Sequence, residues 1–317
     1  MQQYLDLVRH VLERGVRKAT DPQGIGNIAI CGHQMRFRMS DGFPLITTRS
    51  LKGSWKALVH ELLWFLSGSG HVRDLNRHGV KLWDEWATPE RSAQYGLEAG
   101  DLGYIYGPMW RRWPKSSHDL IRELRAELDL ERCCGSRHVN SMAIDRVLRR
   151  WEDGEPGTCI DQIDQLVRDL RANPDSRRHV VSAWSPEFAD RVFVAPCHAY
   201  WKCFVADGKL SLHLFQRSAD VPVGVPFNIA SYSLLLLMLA RVTGLEPHEF
   251  VHTLSDTHIY LNQIEAMQEL VRREPRDLPR LVISPDATTT DIFNFRLEDF
   301  ELHGYDPHPP IKIPVGI

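Results

Sequence analysis

The sequence predicts an α/β (α+β) fold in one domain over residues 1–317. Three observations carry this expectation: an amphipathic helical pattern opens the chain, short β-rich runs crowd the segment after Val180, and an apolar helix spans Phe227 to Val242. A chain of this length buries about 75% of its unfolded surface, so it folds without disulfide or metal staples. Apolar residues at 43% and charged residues at 25% are ordinary globular values, which excludes a disordered or fibrous chain. The 38 basic and 41 acidic side chains leave a net charge of −3. Nucleic acid is therefore not an expected partner, and any anion site must be a local basic cluster.

Taken in order, Leu5, Val8, Val11 and Leu12 fall at helical spacing within residues 1–15. Asp21-Pro22-Gln23-Gly24-Ile25-Gly26 breaks that pattern as a turn. Ile28-Ala29-Ile30 and Met35-Arg36-Phe37-Arg38-Met39 read as two strands. Trp55 to Leu66 reads as an apolar helix ended by Ser67-Gly68-Ser69-Gly70, and Glu61 lies inside it. A carboxylate in that setting must find hydrogen-bond partners or have its pKa raised. Between about 115 and 158 the texture changes. Ile121 to Leu130 is charged and helical, Cys133-Cys134-Gly135-Ser136 is a break, Ile144 to Trp151 is a short helix and Asp153-Gly154-Glu155-Pro156-Gly157 is a turn. The stretch has too few apolar residues for its own core, so it is expected to be a helical insertion on the main fold. Val180 to Trp184, Ala199 to Val205 and Leu210 to Phe215 follow as strands, the last two joined across Asp207-Gly208.

The longest apolar run, Leu234 to Ala240, falls short of the roughly 20 residues a bilayer span needs, so no membrane association is expected. Met1-Gln2-Gln3-Tyr4-Leu5 does not open a basic region followed by a long apolar stretch, so no signal peptide is expected. Six cysteines, at 31, 133, 134, 159, 197 and 203, include no Cys-x-x-Cys pair. Reduced thiols in the cytoplasm are the expectation, with no zinc ribbon.

Four segments are candidates for chemistry. In Ala195-Pro196-Cys197-His198-Ala199-Tyr200, Cys197 is either a small buried residue or a nucleophile; the hairpin brings Arg217 near it, and a guanidinium favours the thiolate. Asp175-Ser176-Arg177-Arg178 is either a solvated corner or, placed near Arg217 and Ser218, a phosphate clamp. In His252 to Tyr260, an extended chain sets Asp256, His258 and Tyr260 on one face, as a polar strand, a sugar-hydroxyl site or, with less support, a metal site. In Pro226-Phe227-Asn228-Ile229-Ala230-Ser231-Tyr232, Asn228 is either a helix N-cap or a reader of a pyrimidine edge, its amide matching a uracil.

In this order the segments resemble those of folate-dependent thymidylate synthase along essentially the whole chain. The matching motifs are Gly32-His33-Gln34-Met35-Arg36-Phe37, Asp41-Gly42-Phe43-Pro44-Leu45, His60-Glu61-Leu62-Leu63-Trp64-Phe65-Leu66, Leu82-Trp83-Asp84-Glu85-Trp86, Asp101-Leu102-Gly103 and Tyr106-Gly107. They continue through Asp175-Ser176-Arg177-Arg178, Pro196-Cys197-His198, Gln216-Arg217-Ser218-Ala219-Asp220, Pro226-Phe227-Asn228 and Tyr305-Asp306-Pro307-His308-Pro309 to Pro314-Val315-Gly316-Ile317. The resemblance implies a large mixed β-sheet packed with helices and a homodimer formed sheet to sheet. It implies reductive methylation of dUMP to dTMP, with 5,10-methylenetetrahydrofolate as carbon donor and reductant and no metal. Cys197 would add to pyrimidine carbon 6, with Glu61, Tyr106, Asn228 and His198 as the other catalytic groups. Gln216, Arg217, Ser218, Ala219, Asp220, Asn228, His258 and Tyr260 would bind the nucleotide, joined by Arg177 and Arg178 from the neighbouring subunit. Trp83, Trp86, Asp220, Gly224, Gly316 and Ile317 would bind the reduced folate.

The chain departs from the family pattern at several positions. Pro22 stands where Arg is usual after Asp21, Lys202 and Cys203 stand where Gln and an aromatic are usual, Ser255 replaces Gly, Gln263 replaces His, and Gly316 replaces Ala. Lys202 is expected to make up part of the charge missing at Pro22. Three further readings compete: a dUMP hydroxymethylase using the same thiolate, a non-catalytic nucleotide- or RNA-binding relative, and a zinc hydrolase built on His258. The retained Trp83 favours methylation over hydroxymethylation, because an indole shields the intermediate from water.

Overall fold

The computed structural model describes residues 1–19, 24–116, 119–126, 141–152, 158–284 and 290–316. Its principal helices are α1 (Gln2–Arg14), α2 (Trp55–Ser67), α3 (Tyr106–Arg111), α4 (Ser141–Glu152), α5 (Gln162–Ala172) and α6 (Gly224–Thr243). One sheet is built from β1 (Val16–Lys18), β2 (Asn27–Arg38), β3 (Val180–Ser182), β4 (His198–Ala206), β5 (Lys209–Asp220) and β6 (Glu246–Tyr260). Their spatial order is β1-β2-β6-β5-β4-β3. Neighbours pair antiparallel except β5 and β6, which run parallel in the middle. Parallel neighbours need a crossover, and α6 is that crossover.

The amphipathic pattern near the N-terminus becomes α1, which buries Leu5, Val8 and Val11. The apolar run from Trp55 becomes α2, stopped by Gly68 in the left-handed conformation (φ 79°) that a C-terminal glycine supplies without steric cost. β4 and β5 form the expected hairpin. Ala206 pairs with Lys209, and the two turn residues, Asp207 and Gly208, both have positive φ (51° and 73°), as a type I′ turn requires.

One expectation needs correction here. The runs at 28–30 and 35–39 are one strand: β2 keeps the same register on both sides of Gly32, with Cys31 opposite Asp256 and His33 opposite Leu254, and Met39 belongs to the following 3₁₀ turn. α6 is long and apolar enough to cross a bilayer, although no unbroken apolar run in it is. Its Asn228, Ser231 and Ser233 interrupt the run, and the helix is packed on nearly all sides within the main hydrophobic cluster.

Period-two alternation gives the sheet two different faces. Trp201, Cys203, Leu210, Leu212 and Leu214 are buried on the face under α6. On the other face Tyr200 and Phe204 are 42% and 59% exposed, and Tyr200 stacks on Phe215 with ring centroids 5.3 Å apart. The 115–158 stretch leaves and rejoins the fold at one place, because Trp113-Pro114 pairs antiparallel with Cys159-Ile160. Within it, residues 119–126 and α4 are helical and tied by Glu123, which accepts from Arg150 (2.6 Å) and from the Trp151 indole N–H (2.8 Å). Val147 is buried there, outside the main cluster. The Asp21-Pro22 turn, the Cys133–Ser136 break, the 153–157 turn and Ile317 lie outside the described residues.

Candidate active site

Strand direction places the candidate residues together. β4 begins immediately after Cys197, while β5 and β6 end with Arg217–Asp220 and Asp256–Tyr260. Antiparallel β4–β5 and parallel β5–β6 pairing bring that start and those two ends to one edge of the sheet. The register is His198 opposite Gln216, Ser218 opposite Asp256 and Asp220 opposite His258. The register shifts by one residue between His198 and Tyr200, a β-bulge beside the candidate nucleophile of the kind that re-aims a side chain.

Cys197 is half-buried. Its backbone N–H donates to the Tyr106 hydroxyl oxygen (2.8 Å), and its carbonyl accepts from the Arg217 N–H (2.9 Å). The Arg217 guanidinium donates to the carbonyls of Ala195 (2.7 Å) and Pro196 (3.0 Å) and lies 5.1 Å from the Trp184 ring. It is thus fastened to the loop that carries Cys197. The expected depression of the thiol pKa is not the net result: burial pushes it up, and Arg217 and Tyr106 pull it down by less. Cys203, on the core face of β4, is pushed up to about 12 by burial and is chemically inert by comparison.

Glu61 projects from α2 and accepts the Trp83 indole N–H at 2.7 Å. Burial raises its pKa from 4.5 to about 7, against the opposing effect of that hydrogen bond. Trp83 lies 5.8 Å from Trp86 and 6.1 Å from Tyr106, so one aromatic wall runs from Glu61 to the backbone of Cys197. Tyr106 is 3% exposed, and burial raises its pKa well above 10, keeping its proton on.

Asn228 is not an N-cap. The cap is Val223, and Asn228 sits more than a turn inside α6. It is 9% exposed and hydrogen-bonds His198, whose pKa is pushed down to about 4 by burial against the upward pull of Asn228. His198 is therefore neutral at pH 7, between Tyr106 (4.9 Å) and Tyr232 (5.1 Å). A Cβ at Gly224 would stand 3.7 Å from Asn228 Oδ1 and 3.8 Å from Asp220 Cβ, so Gly224 belongs to the same wall. Asp220 accepts from the Val223 N–H at 3.2 Å, and burial raises its pKa to about 6 against that bond and nearby His258. Gln216 is 3% exposed, donates to the Ser218 carbonyl (2.9 Å) and meets His252 (2.8 Å), while Ala219 is fully buried. These two brace the strand from beneath.

At the end of β6, Asp256, His258 and Tyr260 do share a face: His258 Nδ1 lies 3.1 Å from Asp256 Oδ1, and the His258 and Tyr260 rings are 5.1 Å apart. The C-terminal segment closes over them. Gln263 receives the Tyr260 N–H (3.0 Å) and donates to the Pro314 carbonyl (2.8 Å). A Cβ on Gly316 would fall 2.5 Å from Tyr260 Cε2, so a larger residue here requires the tail or the ring to shift.

Arg177, Arg178 and Lys202 are not brought to the cysteine of their own chain. Val180 pairs with Lys202 and the Cys203 N–H bonds His179 O, which sets Arg178 level with Phe204, about 23 Å along β4 from Cys197 at ~3.3 Å per residue. Lys202 stands five positions away and on the face opposite Trp201, and the Pro22 position whose charge it is expected to offset lies outside the described residues. Sequence reading missed Arg49, which is 8% exposed, donates to the Pro222 carbonyl (2.7 Å) and bears electrostatically on Asp220. An arginine inside Pro44-Leu45-Ile46-Thr47-Thr48-Arg49 with no acidic residue nearby in sequence was the available signal. Among the described residues no cluster of three His, Cys, Asp or Glu side chains has a metal-holding arrangement. The family model for thymidylate synthase matches residues 2–317, nearly the full chain.

Proposed function

The chain belongs to the thymidylate synthase family, and from that premise we propose that it methylates dUMP reductively to dTMP, using 5,10-methylenetetrahydrofolate, through a thioether between Cys197 and pyrimidine carbon 6. The observation that carries this reading is the contiguity of Cys197, Arg217, Tyr106, Trp83 and Glu61 at one edge of the sheet. Family membership supports a transferase of the dUMP methylation or hydroxymethylation type; reduction as the last step is the finer part of the proposal.

Carbon 5 of uracil is a poor nucleophile. Addition of the Cys197 sulfur at carbon 6 moves the C5–C6 π pair toward carbon 5 and oxygen 4, which makes carbon 5 nucleophilic. The thiol has to lose its proton in step with this addition, because burial holds it protonated at rest, and Arg217 offsets part of that cost. Asn228 presents an amide to the pyrimidine edge, with neutral His198 fixing its orientation. Glu61, with a pKa near pH 7, both gives and takes a proton and so serves proton movement at oxygen 4 and carbon 5. Tyr106 assists removal of the carbon 5 proton. Arg217 and Ser218 hold phosphate, and His258 and Tyr260 hold the 3′-hydroxyl.

The remaining residues fit a reduced folate. Trp83 and Trp86 form an aromatic floor, Asp220 offers a carboxyl that exchanges a proton near pH 6, and Gly224 and Gly316 leave room for close approach. Bound there, the folate supplies the one-carbon unit and a hydride. Arg177 and Arg178 act in the site of a second copy, which covers the open sheet face bearing Tyr200 and Phe204. The chain is read as one cytoplasmic domain with the 115–158 insertion on its surface.

Incubation with dUMP and methylenetetrahydrofolate tests the proposal. The expected result is dTMP with one equivalent of dihydrofolate, seen as rising absorbance, and none of it with Cys197→Ser. A hydroxymethyl product without dihydrofolate would replace reduction by hydration, and undiminished turnover in Cys197→Ser would rule out the thiolate mechanism.

A further inference from the structure

We propose that Lys18 is a positioning residue for the sugar end of the nucleotide: through Asp256 it fixes the His258 ring so that Nε2 accepts a hydrogen bond from the 3′-hydroxyl. The inference rests on the dUMP reading above and adds to it a residue outside the site, on the far edge of the sheet.

The geometry is a two-step strut. Lys18 Nζ lies 2.5 Å from Asp256 Oδ2, and the other carboxylate oxygen, Oδ1, lies 3.1 Å from His258 Nδ1. Both oxygens of Asp256 are thus engaged, one by each partner. An ionised carboxylate only accepts, so the imidazole nitrogen facing it must carry the hydrogen. In the neutral ring this leaves the lone pair on Nε2, an acceptor suited to a hydroxyl proton and not to a second donor. The neighbouring Lys18 charge and the His258 contact outweigh burial and hold Asp256 below the usual carboxylate range, which keeps it in the accepting form.

The placement is not a local accident of sequence. Lys18 lies on β1 opposite Asn27, and Asn27 is opposite Tyr260, so the lysine backbone is level with Tyr260. Its side chain reaches past β2 and back along the sheet to Asp256, which is level with Cys31 on β2 and with Ser218 on β5. Asp256 therefore sits between the phosphate-side residue Ser218 and the sugar-side residue His258. The lysine and aspartate side chains are 48% and 42% exposed, and an ion pair that open contributes little to folding. Its effect is to select a rotamer: without Lys18, Asp256 is free to turn to solvent and His258 to flip.

The test compares binding of dUMP and of 2′,3′-dideoxyuridine 5′-monophosphate, which lacks only the 3′-hydroxyl, by titration calorimetry on the full chain. The wild type is expected to bind dUMP roughly tenfold more tightly, the scale of one hydrogen bond. Lys18→Met and Lys18→Gln are expected to bring that ratio close to one, chiefly by weakening dUMP, and Lys18→Arg to restore it. A merely structural or long-range electrostatic role would weaken both nucleotides by the same factor and leave the ratio unchanged, which would overturn the inference. A wild type that binds dUMP without discriminating the analogue would overturn it too, leaving the methylation reading intact. A wild type that binds neither nucleotide would overturn both.

Discussion

Glu61 owes its chemistry to its surroundings. Burial beside Trp83 sets its pKa at about 7, so its charged form is disfavoured by folding and its protonated form is not. The sign follows: relative to a neutral isostere, the stability it contributes is fully present below pH 4.5 and is lost as pH rises through 7. Glu61→Gln is therefore expected to be more stable than the wild type at pH 8 by up to about 3 kcal/mol, with the gap closing by pH 5. Turnover is expected to fall by about 10²–10⁴-fold. Chemical denaturation at several pH values checks the first, and a flat gap would mean that the carboxyl is not raised. Gly316 makes the opposite point, that space alone can choose a residue. Gly316→Ala forces a Cβ to within 2.5 Å of Tyr260 Cε2, and is expected to raise the folate KM on the order of tenfold, about 1.4 kcal/mol. Steady-state kinetics with folate varied checks it. Neither environment could be read from sequence in full: Glu61 inside an apolar run calls for hydrogen-bond partners or a raised pKa and has both, whereas the contact of Gly316 with Tyr260 joins residues 56 positions apart.

The elements divide according to how local their signals are. The β4–β5 hairpin was legible because Asp207-Gly208 meets the steric demand of a type I′ turn between two apolar runs. α5 is equally encoded, by an Asp161 cap bonded to the Asp164 N–H and by Ile163, Leu166, Val167 and Leu170 at helical spacing, though its signal is diluted by the polar stretch preceding it. The two β-rich runs of β2 are separated in sequence by Cys31-Gly32-His33-Gln34, and the pairing with β6 carries one strand through both. For Asn228 the sequence leaves a cap and a pyrimidine reader both open; the helix starts earlier, where Asp220 turns back onto the Val223 N–H, a tertiary choice that no single residue declares. The composition of the 115–158 stretch predicts an insertion on the main fold. Since Pro114 and Cys159 are already paired partners, replacing 115–158 by a two-residue turn is expected to leave a folded protein with dUMP binding intact and a melting temperature within a few degrees of the wild type. Calorimetry and nucleotide titration check this, and an unfolded product would place the insertion in the core.

For the whole molecule, the sheet decides function by what it gathers and what it holds apart. Cys197, Arg217, Asp220 and His258 come to one edge because three strands share it, while Arg178 stands about 23 Å off, at the other end of β4, with Arg177 next to it in sequence. The motifs were legible and their distances were not, since pairing order is a property of the assembled sheet. If the two arginines serve a second copy, mixing inactive Cys197→Ser with inactive Arg178→Ala and allowing subunits to exchange is expected to restore about a quarter of wild-type activity, one complete site in half of the dimers. No recovery would confine them to their own chain. The measurement that bears most directly on Cys197 is mass mapping after incubation with methylenetetrahydrofolate and a deoxyuridylate whose carbon 5 carries fluorine in place of the hydrogen that must leave. A stable adduct on the peptide containing Cys197, absent from Cys197→Ser, is the expected result; an unmodified Cys197 peptide, or label on any other residue, would contradict it.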